Sequence, residues 1–329
     1  MKSLDIKLTN IKSNNFKSKD FIIADAKDAD MGGGRRAPGI ERNEDGTPTS
    51  NPSNYQSYLD QMEQMTSSTL VDVMLMSMTS AERLINKGIF KNSSVTPAVR
   101  LNDTSCIWGN LRNGDYATHK SRPFATTQLK HAINFADLGL YSMTFNKDID
   151  LDIKMLNEYR CFRDNAEKIG MRHFLEVFNS AVINLKFIEM GQYINDCILK
   201  TLSGQISKEK PLFLKIAYNG PKAMEELCSY DPGNLVVGIL GGSKGTARDC
   251  FELVYQACKY GARVALFGRK INLSEDQEIM VTTMRKVVEG DLDSLEGVKF
   301  YHDSLIKKNL KPDNSLETDS ELTEETLKM

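Results

Sequence analysis

From residue 21 onward the chain alternates short apolar runs with longer amphipathic segments. The runs at 21–26, 71–77, 96–101, 139–145, 172–178, 212–218, 235–240 and 263–267 are rich in Val, Ile, Leu, Phe or Met. Each is bounded by Gly, Pro, Asn or Asp, which predicts a strand. Helical patterns fill the intervals at 55–67, 80–87, 126–135, 150–169, 188–202, 221–230, 246–260 and 274–288. Gly88, Gly170, Gly261 and Gly290 stand just past the ends of four of them, and Pro221 opens another. These are the residues that helix termini favour, because the last carbonyls and first amides lack partners within the helix. Eight strands alternating with eight helices predict a closed (β/α)8 TIM barrel over residues 21–305. An open doubly wound sheet is the alternative, and the sequence lacks the dinucleotide fingerprint that often accompanies it.

Three segments fall outside this alternation. Residues 1–20 are polar and rich in Lys and Asn, and are expected to form an N-terminal arm or a plug for the barrel bottom. Residues 32–54 and 102–123 are long loops after strands one and three, on the side where barrels carry their chemistry. Residues 306–329 are acidic and aperiodic, and are expected to be a disordered, solvated tail.

Composition narrows the function classes. The 329 residues are 40% hydrophobic and 26% charged with a net charge of −2, which gives no reason to expect nucleic-acid binding. No apolar run is long enough to span a membrane. The six cysteines form no CxxC pair and read as reduced thiols of a cytoplasmic protein. The four histidines show no metal-ligand spacing, so neither a metal nor another cofactor is expected.

The candidate chemistry centres on Lys215, set in the apolar run Pro211-Leu-Phe-Leu-Lys215-Ile-Ala-Tyr218. Strand side chains alternate, so Phe213, Lys215 and Ala217 share one face and Leu214 and Ile216 the other. With Leu214 and Ile216 packed on helices, Lys215 faces the barrel interior. Burial lowers the pKa of an amine, and a neutral amine can form a Schiff base with a carbonyl. Glu176 lies in the preceding strand on the face shared by Phe174 and Phe178, and Asp25 lies in strand one. Either acid could shuttle protons to the lysine, or merely neutralise it as a buried ion pair. Tyr218 is a candidate proton donor. Arg100, in strand three, could meet an anionic group of a substrate or an acid such as Asp25.

A phosphate cradle is expected beside the lysine. Gly241, Gly242 and Ser243 follow strand seven, and Gly268 and Arg269 follow strand eight, where barrels often bind phosphate. Glycines let backbone N–H groups approach an anion, Ser243 adds a hydroxyl, and Arg269 adds a bidentate cation. The N-terminus of the helix from Thr246 would supply a favourable dipole.

These residues resemble the class I (Schiff-base) aldolases related to deoxyribose-phosphate aldolase, which include the archaeal-type fructose-bisphosphate and the tagatose-bisphosphate aldolases. The resemblance is carried by Lys215-Ile-Ala-Tyr218, Gly241-Gly-Ser-Lys244, Gly268-Arg269 and Phe174-Leu-Glu176-Val-Phe178. It implies a Schiff base on Lys215, catalytic roles for Glu176 and for Asp25 as the strand-one aspartate, and a homo-oligomer acting on a phosphorylated sugar. The tagatose branch carries a second lysine early in strand four. The matching stretch Leu138-Gly-Leu-Tyr141 has none, and Lys27 or Arg100 is the expected stand-in as a substrate contact. The expected activity is cleavage or formation of a C–C bond in a phosphorylated ketose such as a fructose or tagatose bisphosphate. A transaldol or acyl-transfer reaction, or a catalytically silent sugar-phosphate-binding barrel, remains an alternative.

Overall fold

A computed structural model describes residues 1–329, with the side chains of residues 109 and 110 excepted. Eight parallel strands close into a barrel in sequence order, as the alternation predicts. They are β1 (Ile22–Lys27), β2 (Val73–Met76), β3 (Thr96–Arg100), β4 (Leu138–Thr144), β5 (Arg172–Phe178), β6 (Leu214–Ile216), β7 (Gly238–Leu240) and β8 (Val264–Phe267). β1 closes the ring against β8, with Ile22 opposite Val264 and Asp25 opposite Phe267.

Period-two alternation sorts the strand residues into two cores. Ile22, Ala24, Val73, Leu75, Ala98, Leu138, Leu140, Phe174, Phe213, Val236, Val264 and Leu266 pack together inside the barrel. Ile23, Met74, Val99, Tyr141, Leu175, Leu214, Ile216, Ile239 and Phe267 face outward into the layer beneath the helices. Parallel strands buried on both faces need such near-continuous apolar runs.

The main helices are α1 (Ser3–Lys12), α2 (Tyr55–Ser68), α3 (Met78–Lys87), α4 (Ile149–Ile169), α5 (Phe187–Ser203), α6 (Pro221–Tyr230), α7 (Ala247–Lys259), α8 (Gln277–Glu289) and α9 (Ser294–Lys307). Among the described residues, no helix is long and apolar enough to cross a membrane. Residues 1–20, expected as an arm or a plug, contain the helix α1. Its Leu4, Leu8 and Ile11, spaced on one helical face, join the barrel-interior core. Lys7 anchors it by an ion pair of 2.9 Å to Asp72, which also takes Arg285 at 2.7 Å. Between β3 and β4 the expected helix over 126–135 contracts to one turn, Leu129–Ala132. α9 lies outside the eight expected helices, although Asp293 and Glu296 form a capping box at its start.

The two long loops are folded. The first contains a helical turn (Asp30–Gly33), a 3-10 turn (Gly34–Arg36) and an antiparallel ribbon pairing Ile40–Arg42 with Pro48–Pro52. The second pairs Asp103–Thr104 with Pro123–Phe124 and packs Trp108 against Tyr116 and Phe124.

The tail differs from the solvated segment expected beyond residue 305. Leu327 is buried, and Asp319 accepts from Ala247 N at 3.1 Å and pairs with His302 at 2.9 Å. Thr323 and Glu324 both donate from their amides to Asp249. The acidic residues that suggested solvation are the ones fixing the tail to the barrel. A carboxylate tied to cations and amide N–H groups tolerates a position near the core.

Candidate active site

A cavity of about 630 Å³ opens at the C-terminal ends of the strands and is lined at its base by Asp28, Arg100, Glu176 and Lys215. Each stands one interior position above a residue of the apolar barrel core: Asp28 above Ala26, Arg100 above Ala98, Glu176 above Phe174 and Lys215 above Phe213. Phe174 and Phe213 stack with ring centroids 4.7 Å apart, so the lysine and glutamate rest on an apolar floor.

The polar groups form one connected network. Lys215 Nζ lies 2.6 Å from Glu176 Oε1. Glu176 Oε2 accepts from Ser142 Oγ at 2.7 Å and lies 3.4 Å from Arg100 Nη2, which also donates to Ser142 Oγ at 3.0 Å. Arg100 continues to Asp28 Oδ2 through Nη1 at 2.5 Å and to Asp103 Oδ1 through Nε at 2.9 Å. Its burial opposes the guanidinium charge, but Asp28, Glu176 and Asp103 outweigh that and hold it more firmly protonated than usual. Burial likewise favours the neutral form of Asp28, yet Arg100 and then Lys215 outweigh it, so this carboxyl is held below the usual range. Asp103 goes the other way, raised by burial despite Arg100. The base of the cavity thus joins a primary amine, a guanidinium and several carboxylates, with a proton-transfer partner in direct contact with the amine.

Strand parity distinguishes the expected Asp25 from its neighbour Asp28. Asp25 faces away from the cavity, on the outward side of β1 with Ile23, and is fully buried. Lys27 shares that side. Its Nζ lies 3.2 Å from Asp25 Oδ2 and donates to Gln277 Oε1 at 2.8 Å. Burial raises the Asp25 carboxyl and lowers the Lys27 amine, and each partly offsets the shift of the other. The strand-one acid at the cavity is Asp28, which keeps the parity of Ala24 and Ala26. Tyr218 is also turned outward, with Ile216, and its hydroxyl donates to Gln256 Oε1 of α7 at 2.8 Å. The alternation that puts Lys215 inside puts a residue three positions later outside.

The upper wall holds the expected glycine loops. Gly241, Gly242, Gly268 and Arg269 line the cavity together with Lys244, Arg36 and Arg42. Gly242 has φ +68°, a conformation that side chains other than glycine rarely adopt. A Cβ at Gly268 would lie 3.0 Å from the Ala26 carbonyl oxygen, so that position permits β8 to end close against β1. Arg269 is exposed and has no hydrogen bond or ion pair among the described residues; burial lowers its pKa and the charge of Glu324 opposes that. Ser243 is exposed and lies outside the cavity lining, unlike its neighbour Lys244. The N-terminus of α7 is already capped by the tail, since Ala247 N donates to Asp319.

Asp28 and Ser142 could have been found from sequence by extending the period-two alternation of β1 and β4. Arg36 and Arg42 sit in a loop with no periodicity, and Asp313 of the tail, which also lines the cavity, carries no local signal.

No family model matches the sequence, and no curated protein matches it. Among solved structures, the chain is similar to a Schiff-base-forming fructose-1,6-bisphosphate aldolase studied through its reaction intermediates. That match has a TM-score of 0.61 at 19% identity, covering 87% of this chain and 99% of the other. An archaeal fructose-1,6-bisphosphate aldolase with its catalytic lysine bound to the carbinolamine intermediate superposes with a TM-score of 0.59 at 20% identity, over 87% of this chain and all (100%) of that one. A protein from Corynebacterium glutamicum gives 0.55 at 16% identity, over 88% and 94%. Two of these three neighbours are fructose-1,6-bisphosphate aldolases, and the likeness, which is one of fold, extends over nearly the whole of each.

Proposed function

We propose that this protein is a class I aldolase that makes or breaks a C–C bond in a phosphorylated ketose through an imine on Lys215. The observation that carries the reading is the 2.6 Å contact between Lys215 Nζ and Glu176 Oε1 at the base of a cavity whose upper wall is cationic and glycine-rich. Transfer of the shared proton from Nζ to the carboxylate leaves a neutral amine, which attacks the ketone carbon. The protonated Glu176 then gives a proton to the carbinolamine oxygen, and water leaves as the iminium forms.

In cleavage, Glu176 takes the proton of the hydroxyl on the far carbon of the breaking bond, the carbon β to the iminium carbon. The C–C bond electrons pass into the iminium, an aldehyde leaves, and the enamine is the counterpart product. Protonation of the enamine carbon and addition of water to the iminium release the second carbonyl compound and restore the amine. Ser142 and Arg100 hold Glu176 Oε2 throughout, leaving Oε1 to the proton traffic, and Asp28 holds Arg100. The phosphate is placed against Gly241, Gly242, Gly268 and Arg269, whose free guanidinium and accessible backbone suit a dianion.

The test is hydride trapping. With a panel of phosphorylated ketoses, borohydride should fix one substrate mass on the peptide that contains Lys215. Trapping should be lost in Lys215→Met. Unmodified peptide with every ketose, or retained turnover in the variant, would sink the reading.

A further inference from the structure

At the cavity mouth, two cations from separate loops converge on one carboxylate of the C-terminal tail. Arg42, from the ribbon after β1, donates through Nη1 and Nη2 to Asp313 Oδ1 and Oδ2 at 2.8 and 2.9 Å. Lys244, from the loop after β7, donates to Oδ2 at 2.6 Å. A guanidinium fork with an ammonium on the same oxygen is the arrangement that also holds a phosphate. The fork is fixed independently of its guest, because Arg42 also donates to the carbonyls of Gly46 and Leu273 at 2.7 and 3.2 Å.

Asp313 is held in place by its own scaffold. Its backbone N–H donates to Glu275 Oε1 at 2.7 Å, and two residues earlier Lys311 N donates to Asp45 O at 2.7 Å, clasping the ribbon. Downstream, the tail is pinned by Asp319 on His302 and by the buried Leu327. Burial favours a neutral Asp313, but Arg42 and Lys244 outweigh it and keep the carboxyl below its usual range.

We infer that Asp313 determines how many phosphates the cavity accepts: it fills the outer cationic pair with a built-in anion, so the substrate is a ketose monophosphate rather than a bisphosphate. This rests on reading the cavity as a phosphorylated-ketose site. A second phosphate at Arg42 and Lys244 would have to displace a carboxylate that already holds their donors, and the two anions would repel at contact range even on this solvent-reached rim. Arg269 and the glycine loops then take the one phosphate.

Two carbonyl-free probes separate anion binding from imine chemistry: glycerol 3-phosphate and a hexitol 1,6-bisphosphate, titrated calorimetrically against the full chain. The unsubstituted protein should bind the two within about 3-fold of each other. Asp313→Asn should tighten the bisphosphate by about 10-fold or more while moving the monophosphate less than about 2-fold. Asp313→Ala should behave the same way, since the backbone contact to Glu275 survives both substitutions, and melting temperatures check that both are folded. The inference is overturned if the unsubstituted protein already prefers the bisphosphate by about 10-fold. It is equally overturned if both probes shift together, if neither shifts, or if neither binds any form. Hydride trapping on Lys215 is scored separately: its absence with every ketose removes the imine reading, whereas the ratio of the two Kd values decides the role of Asp313.

Discussion

Lys215 and Glu176 are direct register partners on adjacent strands, β6 and β5, and their side chains meet at 2.6 Å inside the barrel. Parallel pairing fixes the two backbones, and period two turns both side chains inward, so the contact depends on no loop. A proton donor and acceptor pair built on rigid strands is well placed for repeated proton transfers.

Glu176→Gln keeps the shape of the acid but removes its proton chemistry. The rate at which hydride-trapped adduct accumulates on Lys215 should fall by about 10²- to 10⁴-fold. An unchanged rate would mark Glu176 as only a counter-ion for the lysine.

Asp25 and Lys27 form a buried pair on the other side of the strand, so their loss should register in stability. Removing either partner alone (Asp25→Leu or Lys27→Met) should cost about 3–5 kcal/mol in urea unfolding, whereas the double replacement should be near neutral. Turnover per folded molecule should be unchanged in all three. Asp28→Asn, which frees Arg100, should instead lower turnover, and a result the other way round would return the catalytic acid to residue 25.

Arg269 has an unengaged guanidinium at the cavity wall, whereas Ser243 points elsewhere. Arg269→Ala should weaken glycerol 3-phosphate binding by about 10- to 100-fold, from the loss of a charge-assisted hydrogen bond. Ser243→Ala should leave it within about 2-fold. Equal effects would mean that the phosphate sits higher in the loop after β7 than the lining residues indicate.

His173 packs edge-on against Tyr159 and Phe162 and shares a 2.8 Å hydrogen bond with the Tyr159 hydroxyl. Burial, assisted by Arg163, pushes its pKa down to about 3. The unfolded chain titrates near the ordinary value of about 6.5, so it binds the proton first as pH falls. The contribution is full above that value and is lost progressively as pH falls towards 3. Chemical unfolding followed from pH 7 to 4 should show a shallower acid decline in His173→Gln than in the unsubstituted protein. Parallel curves would remove His173 from the acid response.

The parts of the site that were legible in the sequence are those governed by the strand period. Leu214 and Ile216 pack outward, so Lys215 must face in, and the same rule carried across β5 turns Glu176 inward. Applied to β1 and to the end of β6, it also separates Asp28 from Asp25 and turns Tyr218 away. Nearness to a strand end and family resemblance, which point to Asp25 and Tyr218, carry no information about which face of the strand a side chain takes. Arg100 keeps the parity of Ala98 and so faces inward, but its role as the hub between Asp28, Asp103, Ser142 and Glu176 depends on four separate segments meeting.

The tail shows the opposite case. Residues 306–329 read locally as a polar, aperiodic segment, and nothing within them marks Asp313, Asp319 or Leu327 as fixed points. Their partners are Arg42, Lys244, His302 and Ala247, which closure of the barrel brings to one rim. By itself, then, the sequence determined the number and order of the barrel strands and the inward face of the lysine, because hydrophobic periodicity is a local property of the chain. Only the tertiary structure decided how Arg100 links the acids around that lysine and which cations the tail neutralises. Charges far apart in sequence become neighbours only when the barrel closes, and there the cost of leaving them unpaired away from water selects their partners.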